Sequence, residues 1–308
     1  MNARDSGTLA TRAALASVAT ALILGAVKGW ATWTTESVAM LASLADTALD
    51  LIASLVTLWG VRIAAAPADW DHRFGHGKAE SLAALIQTGL ILISAAAIAA
   101  VAVGEILTPS PVARADAGLA VSGAAIVLTM ALIAYQRSVI RRTGSVAIGA
   151  DSLHYQSDLL VNVAVMAAFG LEMTFGLVGI DPFFGLGIAG WLAWNAWSGA
   201  TTAIDQLMDR EWPNDRRNAF LSAAAEMPEL TGMHDLRTRR SGNQEFAQFH
   251  MFVPPRMTMV EAHDVMDRVE EQLGARFPGV ELLIHLDPEG HVDMEGALRA
   301  EIAERSEL

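Results

Sequence analysis

The sequence predicts an all-α transmembrane bundle of six helices, followed by a C-terminal cytoplasmic α+β domain. Three observations predict it. The 308-residue chain is 53% hydrophobic and has a mean hydropathy of +0.35, more than a soluble chain of this size carries. Its charge is lopsided: residues 1–200 are mostly Ala, Leu, Ile, Val and Gly, whereas 208–308 hold a large share of the Asp, Glu and Arg. Six stretches before residue 207 reach the roughly 20 mostly apolar residues that a membrane crossing needs. The expected domains are 1–207 and 208–308.

The six spans are expected at 10–32, 38–65, 80–107, 117–136, 145–173 and 179–206. The fourth, "AGLAVSGAAIVLTMALIAYQ", is the most uniformly apolar. Small residues are dense in "SAAAIAAVAVG" and "GLGIAGWLAW", which lets membrane helices approach closely. Basic residues set the orientation. The N-terminus up to the start of span one has Arg4 and Arg12, the end of span two and the loop after it have Arg62, Arg73 and Lys78, and the loop after span four has Arg137, Arg141 and Arg142. The loops "TTES" and "EMTFGLVGID" have none, and the third intervening loop has only Arg114. The positive-inside rule then puts both termini in the cytoplasm of a multi-pass inner (plasma) membrane protein. The polar N-terminus "MNARDSGTLATR" does not read as a cleaved signal peptide.

A net charge of −13 argues against a nucleic-acid partner and fits cationic ligands. The chain has no cysteine, so there are no disulfides or thiolate ligands. Any metal must be held by His, Asp, Glu or backbone oxygen.

Span two, "SVAMLASLADTALDLIASLVTLWGV", carries Asp46 and Asp50. Four apart on a helix, they share one face. An ionised carboxylate in hydrocarbon costs about 2.5 kcal/mol or more, so a cation, a proton or a buried partner must offset it. Span five reads "GADSLHYQSDLLVNV" and repeats the spacing with His154 and Asp158. If the two faces meet, four N/O ligands result, a set suited to a tetrahedral divalent ion such as Zn2+. The alternative is a group of packed hydrogen-bonding side chains within the bundle.

The first basic loop, "PADWDHRFGHGKAE", offers Asp69, His72 and His76 in one Gly-containing turn. Three such ligands can hold a metal with one open position; the alternative is a solvated loop whose histidines bind nothing.

The pattern changes after "MDREWPNDRR". Residues 215–227 read as a helix. Residues 231–240 and 244–253 read as strands around the turn "SGN". "TMVE" at 258–261 is a capping box opening a helix that runs to about residue 274. "GVELLIHLDPE" reads as a third strand. This order fits a small open sheet with helices on one face. His285 and Asp287, two apart on a strand, share a face, and His234, His250 and His263 lie on neighbouring elements. One histidine alone would read as structural; four with an aspartate point to a cytoplasmic metal site.

Taken together, "SLADTALD", "DHRFGHGKAE", "DSLHYQSD", "HDLRTRRSG" and "IHLDP" resemble the cation diffusion facilitator family, in particular its bacterial zinc/iron efflux members. The resemblance covers nearly the whole chain. It implies a homodimer of six-helix subunits, each with a ferredoxin-like or metallochaperone-like cytoplasmic domain, exchanging a divalent metal for protons. It also implies a transport site at Asp46, Asp50, His154 and Asp158 and a loop site at Asp69, His72 and His76. The implied binuclear cytoplasmic site is His234, His250, His263, His285 and Asp287, with Asp287 bridging. Lys78 and Asp209 match the family's charge interlock. Seven of the eight histidines fall on these positions, and only His291 is spare.

One His among three Asp suits Zn2+ first, then Fe2+, with Cd2+ also accommodated. Two other readings stand beside transport: a membrane-bound metal sensor or scaffold, and an intramembrane metal-dependent enzyme. The enzyme reading lacks a basic head-group pocket or a nucleophile near Asp46 or His154, so the chain is not expected to be an enzyme. A sensor has no need of four ligands in hydrocarbon.

Overall fold

The computed structural model describes residues 3–35, 38–108, 119–175, 181–242 and 244–290. It divides into two compact units, Ala3–Asp205 and one beginning at Gln206. Arg114, Asn243 of the "SGN" turn, His291 and the tail beyond it lie outside the described residues.

Among the described residues, the first unit is built from six long helices: α1 (Ala3–Thr35), α2 (Val38–Ala64), α3 (Lys78–Leu107), α4 (Leu119–Thr143), α5 (Val146–Phe175) and α6 (Asp181–Leu207). By length and composition four stretches can cross a membrane: Asp5–Thr34, Ser43–Ala64, Lys78–Leu107 and Gly123–Thr143. Helix α4 runs seven residues past the apolar run that predicts it. Arg137, Arg141 and Arg142 are good helix formers and stay exposed while Val139 is buried between them. Gly144, at φ 64°, then ends the helix, its N–H donating to Ile140 O at 2.8 Å. A left-handed glycine just past the last turn is a common helix stop.

Small residues set the helix spacing. A Cβ placed on Gly60 of α2 would lie 2.3 Å from Ala83 Cβ and 3.0 Å from Ala79 O of α3, so only glycine fits this crossing. One buried cluster draws on five helices: Ala13 and Ala14, Leu58 and Val61, Ala83, Val139, and Ala147 with Ile148.

The second unit contains α7 (Asn214–Ala225), a short 3-10 turn (Pro228–Leu230), β1 (His234–Ser241), β2 (Gln244–Val253), α8 (Met259–Arg276) and β3 (Val280–Pro288). It is a small α+β domain. The sheet order is β1-β2-β3, with β1 antiparallel to β2 and β2 parallel to β3. A parallel pair needs a crossover, and α8 supplies it. Its first turn carries the expected capping box: Thr258 Oγ1 accepts from Glu261 N, and Glu261 Oε2 accepts from Thr258 N. Strand β1 starts three residues later than the sequence pattern indicates, because residues 231–233 continue the chain out of the 3-10 turn through a turn at Gly232, φ 83°. Phe220, Leu230, Met233, Phe249, Met251 and Leu273 are fully buried in the core. Trp212 ties the entering chain to the sheet, its Nε1–H donating to Arg239 O at 3.1 Å.

Candidate metal centres

The first centre joins α2 to α5. His154 Nε2 lies 3.0 Å from Asp50 Oδ1 and 4.0 Å from Asp158 Oδ2. One ligand atom from each of the three residues falls within 4.8 Å of the others. Asp50 and His154 are each only 7% exposed. Buried polar atoms normally find partners, yet His154 Nδ1 and Asp158 Oδ2 have no hydrogen-bond partner among the described residues. In a tetrahedral Zn2+ site with bonds near 2.05 Å, ligand atoms stand about 3.3 Å apart, so this cluster needs only a small contraction. Asp46, the fourth expected ligand, is exposed and lies outside the three-residue group.

Beside this centre lies a buried aspartate that the spacing argument missed. Asp151 of α5 is wholly buried. Its carboxylate accepts from Ser17 Oγ of α1 at 2.6 Å, Gln136 Nε2 of α4 at 2.8 Å and Gln87 Nε2 of α3 at 3.2 Å. A signal was present in the sequence: Asp151, His154 and Asp158 are spaced i, i+3 and i+7, which keeps all three near one helix face. Lys28 of α1 was also missed. Its Nζ donates to Thr47 Oγ1 at 2.6 Å and to Ser43 O at 3.3 Å on α2.

The second centre is the loop between α2 and α3. Asp69 Oδ1 accepts from His72 N at 2.7 Å and Asp71 N at 3.0 Å, and it lies 3.3 Å from His72 Nδ1. Asp69 Oδ2 lies 3.3 Å from His76 Nε2. These donors, the His72 backbone N–H foremost, hold the Asp69 carboxyl below its ordinary range. Gly75 at φ 75° makes the turn that returns His76 to Asp69. Trp70 and Arg73 engage each other, with the guanidinium 4.3 Å from the ring centroid.

The third centre lies on the sheet of the second unit. Register aligns His234 with His250 and His250 with His285. Asp287 is the hub: its Oδ2 lies 2.9 Å from His250 Nδ1 and 3.3 Å from His234 Nε2, and its Oδ1 lies 3.3 Å from His285 Nε2. Asp235, which the sequence argument did not single out, brings Oδ2 to 3.8 Å from His250 Nε2. It sits at φ 49° where the register shifts between His234 and Arg237, a bulge that re-aims side chains. His263 stands apart on α8, exposed and 3.6 Å from Asp267. Lys78 opens α3 in the first unit. Asp209, in the second, has Oδ1 3.5 Å from an Arg239 guanidinium nitrogen.

Residues 14–208 match the cation efflux transmembrane domain, and residues 212–289 match the cation efflux protein cytoplasmic domain. The chain belongs to the cation efflux, or cation diffusion facilitator, family of membrane transporters. It is similar to the cation-efflux pump FieF of Cronobacter sakazakii, at 43% identity over 92% of this chain and 94% of that protein. FieF of Escherichia coli O127:H6 is 41% identical over 94% of this chain and 96% of its own length. A solved structure of the zinc transporter CzrB in its Zn form is 32% identical, covering 28% of this chain and 98% of that one at a TM-score of 0.25. The relatives are named as pumps, and the chain is a transporter rather than an enzyme.

Proposed function

We propose that the protein exports a divalent metal cation, Zn2+ foremost with Fe2+ and Cd2+ also accepted, in exchange for protons by alternating access. The carrying observation is the Asp50–His154–Asp158 cluster on two apolar helices, with the buried Asp158 Oδ2 lacking a hydrogen-bond partner among the described residues. A cation supplies what that oxygen lacks. Asp46, one turn from Asp50, completes the quartet once the ion draws the ligands inward. Metal ligands must be deprotonated, so binding releases protons, and protons arriving from the other side displace the metal. Relatives named cation-efflux pumps support this reading.

In this reading residues 1–207 form a six-span domain of the inner membrane with both termini in the cytoplasm, and 208–308 form the cytoplasmic domain of a homodimer. Asp69, His72 and His76 capture metal at the cytoplasmic mouth. His234, His250, His263, His285 and Asp287 hold a regulatory pair of Zn2+ ions, with Asp287 bridging and His263 joining when metal binds. Those ions offset acidic repulsion between protomers and favour the transport-competent dimer. Lys78 and Asp209 are the counterparts of the family's charge interlock.

The test is zinc flux into sealed proteoliposomes, with and without an imposed pH gradient, for wild type and Asp50→Ala. Flux that follows the gradient and disappears in the variant is expected. Unchanged flux in Asp50→Ala would overturn the site, and no flux with zinc, ferrous iron or cadmium would favour a sensor.

A further inference from the structure

Between Arg12 and Arg62 the only basic residue is Lys28, set in the apolar length of α1. A lysine near a membrane helix end ordinarily extends its head towards interfacial water. Lys28 does not. Its ammonium is docked onto α2, donating to Thr47 Oγ1 at 2.6 Å and Ser43 O at 3.3 Å. Thr47 is 1% exposed, and its own hydroxyl donates to Ser43 O at 3.2 Å, so the dock is a part-buried, hydrogen-bonded arrangement.

The dock lies against the transport quartet. Thr47 follows Asp46 in sequence and precedes Asp50 by three residues. Ser43, Thr47 and Asp50 therefore share one helix face at i, i+4 and i+7. Lys28 therefore places its charge on the α2 turn that carries Asp46. Among the ligands, with neutral His154, three carboxylates against one ammonium leave two negative charges, the complement of one divalent cation; the neighbouring Asp151 carboxylate is engaged by its own donors from Ser17, Gln87 and Gln136.

We propose that Lys28 is the fixed countercharge of the transport site, matching its charge to a single divalent cation and keeping that cation releasable. The inference rests on the transport role of Asp46, Asp50, His154 and Asp158. Lys28 is a positioning residue that acts through charge without touching the ion. Without its ammonium, the site carries one more negative charge than the ion neutralises. The metal is then held more tightly and leaves more slowly.

The test is zinc uptake into proteoliposomes by the full-length protein at alkaline pH, where protons compete least. Wild type, Lys28→Gln, Lys28→Arg and Asp50→Ala are compared. Lys28→Gln keeps a donor for Thr47 but loses the charge; its half-saturating zinc concentration should fall about tenfold, with a matching fall in maximal rate. Lys28→Arg, which keeps the charge, should stay close to wild type. A purely structural role predicts the reverse pattern, with Arg as damaging as Gln and half-saturation raised in both. That result, or wild-type constants in Lys28→Gln alongside a silent Asp50→Ala, overturns the role of Lys28 alone. Wild-type uptake by Asp50→Ala overturns the transport site and this inference with it. If Lys28→Gln is not recovered folded, Lys28→Met carries the same comparison.

Discussion

His154 Nε2 of α5 stands 3.0 Å from Asp50 Oδ1 of α2, so one imidazole links the two helices that carry the candidate transport ligands. Asp50→Asn keeps the shape of the side chain and removes its charge. Uptake by this variant should drop to the level of protein-free vesicles while the helical circular dichroism signal is retained. Transport at the wild-type rate would show that the ion does not use this carboxylate.

Asp151 should govern stability more than any other polar residue of the bundle. Asp151→Ala removes the acceptor that joins Ser17, Gln87 and Gln136; Ser17 and Gln87 keep other acceptors, but one Gln136 N–H is left buried without a partner, at about 1–3 kcal/mol, and the void adds to it. Thermal unfolding in detergent should therefore fall sharply for Asp151→Ala. Asp151→Asn, which keeps an acceptor, should fall less. Equal melting of both variants and wild type would mean that water takes over the network.

At the cytoplasmic centre the ligands are not equivalent. Asp287 touches three imidazoles, whereas His263 pairs only with Asp267. Calorimetric zinc titration should show the largest loss of affinity for Asp287→Ala, an intermediate loss for His250→Ala and the smallest for His263→Ala. A dominant effect of His263 would overturn Asp287 as the hub of the site.

The capping box of α8 makes the domain sensitive to acid. The Thr258 N–H, and then its hydroxyl, hold the Glu261 carboxyl below its ordinary range. A depressed carboxylate contributes stability above its unfolded pKa and loses it as pH falls through the folded value. The gap in melting temperature between wild type and Glu261→Ala should therefore be full at neutral pH and close on acidification. Thr258→Ala should cost about 1 kcal/mol at neutral pH, as loss of an N-cap does.

Much of this was legible in the sequence, for identifiable reasons. Apolar runs and their flanking arginines marked the helices, and alternation with "TMVE" marked the second domain. What escaped depends on rotation between elements. Spacing of i, i+4 puts Asp46 and Asp50 on one face, but it does not say how far that face turns towards α5, and Asp46 stays outside the cluster. Asp151 and Lys28 escaped because their partners come from other helices, and no short-range pattern records such a meeting. The left-handed Asp235 at the β1 bulge escaped because nothing in "HDL" announces a register shift.

The contact of Gly60 with Ala83 also limits how the bundle can work. Two helices meeting this closely cannot slide or rotate past one another without collision, so α2 and α3 behave as one strut. Asp46 and Asp50 ride on that strut, and His154 and Asp158 ride on α5. In the proposed alternating-access cycle, opening the ion's pocket to one side and then the other would fall to α5 moving against the pair. Gly60→Ala should jam this motion, and Ala83→Gly in the same chain should free it.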